Sequence, residues 1–236
     1  MFMANTNCWL YGVDSSCASP WQSNGARNCW AATLITPRHM IGAQHHTSGV
    51  GHRYWFVGRS GNVYNRQTVA AKDIAVAPST DIRVLMLDAD LPTNDVFAAT
   101  FLPDDYRTYI GNGTALPMIC FDQEEKALIQ DVVTLCSDAC PPRVSGACSR
   151  KDIRAEYWEE AESGDSGNPR FLLWGDQLIL VNITWYASGF SGTSLVVYVG
   201  ELQSAVDELA PDGGYRLKRA DFSRCEPLGG LCEESH

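Results

Sequence analysis

The sequence predicts an all-β protein built from two similar halves, and three observations carry that expectation. Seven short runs are rich in aliphatic, β-branched or aromatic residues, from CWAATLIT at 29–36 to SLVVYV at 194–199. Turn-forming stretches such as SGN, GNG, WGD and SGFSG separate or flank them. Only ELQSAVDELA, 201–210, has helical spacing, with Leu202, Val206 and Leu209 on one face. Strands throughout with one late helix point to a sandwich or a pair of barrels.

In chain order, CWAATLIT leads through a turn at Pro37 into a second short strand that ends at His45-His46. RYWFVG (53–58) and IRVLMLD (82–88) follow; in the latter, alternation puts Ile82, Val84 and Met86 on one face. PDDYRTYIGNG, 103–113, has the composition of a linker, dividing the chain into an N-terminal half, 1–105, and a C-terminal half, 106–236. The second half carries ALIQDVVTLC (127–136), RFLLW (170–174), LILVNITWY (178–186), the helix, and a cysteine-containing tail.

With 236 residues, 45% hydrophobic and 19% charged, the chain is long and apolar enough for a substantial core. A formal charge of −10 argues against nucleic acid or an anionic membrane as partner. The longest apolar stretch, FLLWGDQLILVNITWYA, is broken by Gly175, Asp176 and Gln177, so no membrane span is expected. A monomer is the expected state.

Nine cysteines, several clustered as in CSDACPPRVSGAC and CEPLGGLC, favour disulfides and hence an extracellular or periplasmic location. Zinc is the alternative, but only Cys136 and Cys140 are spaced like ligands and no second pair matches them. The start, MFMANTNCWLYG, has neither the basic nor the apolar region of a secretion leader.

The chemistry centres on AESGDSGNPRF, 161–171. A serine hydroxyl needs an imidazole to take its proton and a carboxylate to hold that imidazole in the right tautomer. Only His236 follows Ser166, and Asn168 breaks the G-x-S-x-G elbow, so an α/β-hydrolase order fails. A histidine, then an aspartate, then the serine is the order that fits.

The segments that supply those partners carry a resemblance. Thr33-Leu34-Ile35 is followed ten residues on by His45 within GAQHH, and STDIRVLMLDADLP places Asp81 before an aliphatic strand. ESGDSGNP carries Ser166, and ITWYASG follows it with Thr184, Trp185 and Tyr186. Together these segments resemble the chymotrypsin/trypsin family of serine proteases. The resemblance implies two six-stranded antiparallel β-barrels of the chymotrypsin type, with a short helix after the second. It implies a serine endopeptidase acting on polypeptide through an acyl-enzyme. Ser166 would be nucleophile, His45 base and Asp81 the orienting carboxylate. The backbone N–H groups of Gly164 and Ser166 would form the oxyanion hole. Glu160, Ser163, Thr184, Trp185 and Tyr186 would bind substrate, with Glu160 favouring Lys or Arg. No metal and no organic cofactor is implied.

The chain departs from that family in lacking an Ile-Val-Gly-Gly segment, whose ammonium would pair with Asp165, and in its cysteine pattern. Other readings are a catalytically silent homologue acting as a binding module, and an esterase or lipase on another fold. Asp73 in KDIAVAP competes with Asp81, and His45-His46 with His39 or His52 could hold a metal.

Overall fold

The computed structural model describes residues 13–19, 21–22, 31–45, 49–75, 80–110, 115–121, 127–135, 143–147, 165–174, 177–186 and 191–223. The first seven strands are β1 (Ala18–Ser19), β2 (Trp21–Gln22), β3 (Ala32–Thr36), β4 (His39–Ala43), β5 (Arg53–Val57), β6 (Val63–Ile74) and β7 (Ile82–Leu87). They form one antiparallel sheet in the order β1-β3-β4-β7-β6-β5-β2. The two ends of that order are neighbours in the chain. β1 pairs with β3 and, one residue later, β2 pairs with β5. The stretch 18–22 therefore bridges both edges, and counting it once gives a nearly closed six-stranded barrel. Ser19 Oγ donates to the Trp55 carbonyl at 2.7 Å and helps hold this seam.

The second sheet is built differently. It contains β8 (Thr100–Phe101), β9 (Ala115–Phe121), β10 (Ala127–Leu135), β11 (Arg143–Ala147), β12 (Pro169–Trp174), β13 (Gln177–Tyr186), β14 (Ser191–Ser194) and β15 (Lys218–Arg219). Its order is β11-β10-β9-β12-β13-β8-β15, with β14 also on β13. β8 pairs in parallel with both β13 and β15, so the sheet is mixed, and among the described residues its outer strands do not meet.

This corrects the expected fold. One nearly closed barrel and one open mixed sheet replace two matching six-stranded barrels of the chymotrypsin type. The physical reason lies in β8 and β15: two-residue strands continue the sheet in parallel beyond β13, β8 on β13 and β15 on β8, where a barrel would need a long closing strand. The run 194–199 also differs from expectation, because its apolar residues form a 3-10 turn at Leu195–Val197 and the start of helix α1 (Val199–Leu209).

A single apolar cluster joins the parts. Leu34, Ile41, Phe56 and Leu85 of the barrel belong to it with Ile119, Phe171 and Ile183 of the second sheet and Leu202 and Val206 of α1. β7 lies between β4 and β6, and Ile82, Val84, Leu85 and Leu87 are all fully buried, so both its faces are covered. Each such side chain contributes roughly 1.5–3 kcal/mol by leaving water.

Although α1 follows the second sheet, it packs on β6 and β7 of the barrel, and Lys72 Nζ lies 2.8 Å from Glu208. The segment after it is fastened to the same barrel. Tyr215 donates its hydroxyl to Asp90 at 2.6 Å and meets the His39 ring edge-on. His39 is fully buried at the start of β4. Thr36 Oγ1 accepts the N–H groups of Arg38 and His39, so its own proton goes to His39 Nδ1 at 2.8 Å. Burial, aided by the Arg38 charge, lowers the His39 pKa to about 4.

That depression makes stability depend on pH in a defined window. Between the ordinary histidine value near 6.5 and about 4, the unfolded chain binds a proton that the folded chain refuses. Stability from this group is complete above pH 6.5 and is lost as pH falls, by at most about 3 kcal/mol at pH 4. Chemical denaturation of wild type and His39→Gln across pH 4–7 checks this. The wild type is expected to lose more stability on acidification than the variant, and parallel curves would refute it.

Candidate functional site

His45 sits two residues beyond β4, and Asp81 sits one residue before β7. β4 and β7 pair with Ala43 opposite Ile82, and the pairing carries the two chain ends side by side. Gln44 N–H donates to the Asp81 carbonyl at 3.2 Å. The Asp81 carboxylate then does two things at once. Oδ1 accepts the His45 backbone N–H at 2.9 Å, and Oδ2 is in contact with His45 Nδ1. One carboxylate thus fixes both the main chain and the ring of the histidine. The Asp81 side chain is only 13% exposed, whereas His45 is 47% exposed.

Ser166 arrives from the second sheet, in a tight turn just before β12. Asn168 N–H closes the turn on the Asp165 carbonyl at 3.1 Å. The turn is stitched to β13 by Gly167 N–H to the Thr184 carbonyl at 2.6 Å and Thr184 N–H to the Asn168 carbonyl at 2.9 Å. Gly167 has φ of +91°, a conformation that a side chain disfavours. Space forbids a side chain as well: a Cβ there would lie 2.5 Å from the Ala31 carbonyl oxygen of the barrel. Glycine at 167 therefore lets the turn press against the residues flanking β3 and β4.

That approach brings Ser166 Oγ to 3.0 Å from His45 Nε2. Asp81, His45 and Ser166 form one hydrogen-bonded row, drawn from both sheets. With the carboxylate on Nδ1, the neutral ring carries its proton there and offers Nε2 as acceptor for the serine hydroxyl. Asp73, the competing carboxylate, is elsewhere engaged. It receives Arg83 Nε at 2.6 Å and Nη2 at 3.1 Å, and this pairing holds its pKa below the ordinary carboxylate value.

Behind the serine turn lies a buried polar group that sequence reasoning missed. Arg170 is fully buried opposite Asn182 in the β12–β13 register, and its Nε donates to Thr184 Oγ1 at 3.2 Å. Asn168 and Asn182 are buried beside it. The available signal was the arginine opening the apolar run RFLLW, a charge at a position that strand alternation sends inward.

Of the other expected site residues, Glu160, Ser163 and Gly164 lie outside the described residues. Trp185 and Tyr186 end β13, and the description there is of backbone only. Thr184 is 3% exposed, with its hydroxyl turned to Arg170 rather than to solvent. His46 also lies outside the described residues, and among them no group of three His, Cys, Asp or Glu could hold a metal ion. Of the nine cysteines only Cys17 has a described side chain, and it is a free, buried thiol outside any disulfide; the other cysteines of the expected framework lie beyond what is described. Burial, reinforced by the Asp14 charge, raises the Cys17 pKa well above the ordinary thiol value. Among the described residues no helix is long and apolar enough to cross a membrane.

No protein-family model matches the chain, and no curated protein does either. The unlike sheets overturn what the chymotrypsin/trypsin resemblance lent. Membership of that family does not hold, and neither the trypsin-like endopeptidase nor the silent homologue follows from this fold. Polypeptide as the substrate rested on the same inference and goes with it. What stands is geometric: three side chains in a hydrogen-bonded row.

The seam at Gly167 can be tested directly. Gly167→Ala is expected to destabilise the protein by roughly 2 kcal/mol in denaturant melts, because the methyl group must displace either the turn or the Ala31 backbone. An unchanged melting curve would show that the turn relaxes freely.

Proposed function

We propose that Ser166 is an activated nucleophile that accepts an acyl group, with His45 as its base and Asp81 as the carboxylate that orients the base. The observation behind this reading is the row Asp81–His45–Ser166, in which each link is within hydrogen-bond reach before any substrate arrives. The reading rests on the chemistry of these groups and borrows nothing from a fold family.

In the acylation step, Ser166 Oγ bonds to the electrophilic carbon while its proton passes to His45 Nε2. The imidazolium so formed is stabilised by the Asp81 carboxylate against Nδ1. As the tetrahedral centre collapses, the same proton leaves Nε2 for the departing group. A second nucleophile, activated by the neutral imidazole, then takes the acyl group and regenerates the serine. General-base assistance of this kind is worth roughly 10²–10⁴-fold. The developing oxyanion needs backbone N–H donors beside the nucleophile, and the N–H of Ser166 itself is the nearest one in the chain. The half-exposed His45 ring suits this role, since the base must be reachable by the incoming group.

A fluorophosphonate probe tests the reading, because it phosphonylates activated serines and ignores ordinary ones. Wild type is expected to be labelled at Ser166 and Ser166→Ala not at all. His45→Ala and Asp81→Asn are expected to slow labelling on the order of 10³-fold, the first by removing the base and the second by favouring the wrong tautomer. Equal labelling of wild type and Ser166→Ala would refute it.

A further inference from the structure

Beyond Ala43 the chain turns out of β4, and Asp81 accepts the backbone N–H groups of Gln44 and His45 and meets the His45 ring. The side chain of the residue before His45 adds another tie to the barrel. Gln44 Nε2 donates to Asp73 Oδ2 at 2.9 Å.

Asp73 is a rigid anchor, for reasons visible in the strand register. Asp73 on β6 stands opposite Arg83 on β7, and Arg83 stands opposite Gly42 on β4. The two Arg83–Asp73 hydrogen bonds, at 2.6 and 3.1 Å, lock the carboxylate in one orientation and leave Oδ2 facing Gln44. Arg83 also lies two residues after Asp81, on the strand that carries the orienting carboxylate. The ion pair, the glutamine and the two members of the row thus share three adjacent strands. As a half-buried ion pair on the barrel surface, Asp73–Arg83 would add only modestly to stability. Its geometry makes sense as a fixed point for the turn.

We infer that Gln44, Asp73 and Arg83 form a positioning clamp that holds His45 against Asp81 and in reach of Ser166. These are positioning residues, since none of them touches the reacting atoms, and the inference rests on the activated-serine reading. Gln44 is the informative member, because replacing it leaves the Arg83–Asp73 pair and both backbone ties to Asp81 intact.

Two measurements on the full chain test the clamp. The first is the rate of fluorophosphonate labelling across pH. Gln44→Ala is expected to lower the alkaline plateau about tenfold, the scale of a small misplacement of a catalytic group, while the melting temperature stays within error of wild type. Gln44→Glu, which sets a carboxylate against Asp73, is expected to do at least as much. The second is the solvent-exchange rate of the His45 Nδ1 proton by NMR, which needs no reaction. That exchange is expected to quicken in Gln44→Ala. If labelling and exchange in Gln44→Ala both match wild type, the clamp is overturned. If wild type is not labelled but exchange quickens in the variant, the clamp holds His45 and it is the activated-serine reading that fails.

Discussion

The structure turns on one close approach, that of the Gly167 backbone to the Ala31 carbonyl. Everything the candidate site needs comes from two sheets of unlike construction, and this is where they are pressed together without a side chain between them. Strand pairing within the barrel sets His45 beside Asp81 to within hydrogen-bonding tolerance. Strand pairing within the second sheet sets Ser166 on its turn. Neither pairing says anything about the distance between the two groups. That distance is set by how near the turn can come to the barrel, which depends on a missing Cβ and on a backbone conformation with positive φ.

The polar residues divide into two kinds of support. Asp81 is largely shielded and binds the histidine directly, so its charge acts with little screening. Asp73 and Arg83 are more exposed and weaker as electrostatics, but they constrain orientation, for which screening matters less. Buried Arg170 is a third case. Such a charge is expensive in the protein interior unless well partnered, and it makes the floor beneath the serine turn polar rather than oily. The site is thus bordered by charge on the barrel side and by buried polarity on the other.

How much of this was legible in the sequence follows from the range of each interaction. GAQHH, STDIRVLML and ESGDSGNP could be read because each sets its residue at the end of a local apolar pattern. β6 could not, since the polar, partly buried Asn65, Arg66, Gln67 and Lys72 hide a twelve-residue strand behind a loop-like composition. The run SLVVYV misled for the opposite reason: a short apolar stretch has no decisive period, and packing drew it into a turn and a helix. The architecture of the second sheet was out of reach. Its parallel edges depend on Thr100 meeting Ile179 and Lys218, pairings between distant segments that no local pattern records. Gly167 stands in plain sight in ESGDSGNP, but its reason, the Ala31 carbonyl, belongs to another part of the chain.

The placement of α1 bears on how the chain acquires its shape as it is made. β6 and β7 are complete once Leu87 has been synthesised, yet the helix that covers them begins only at Val199. Throughout the intervening synthesis the barrel surface destined for Leu202 and Val206 stands open to water. A nascent chain of that kind carries a sticky face for as long as its second sheet is being built. The last stage of folding is then a docking of late residues onto early ones, and a truncated product lacking α1 would emerge with that face permanently bare.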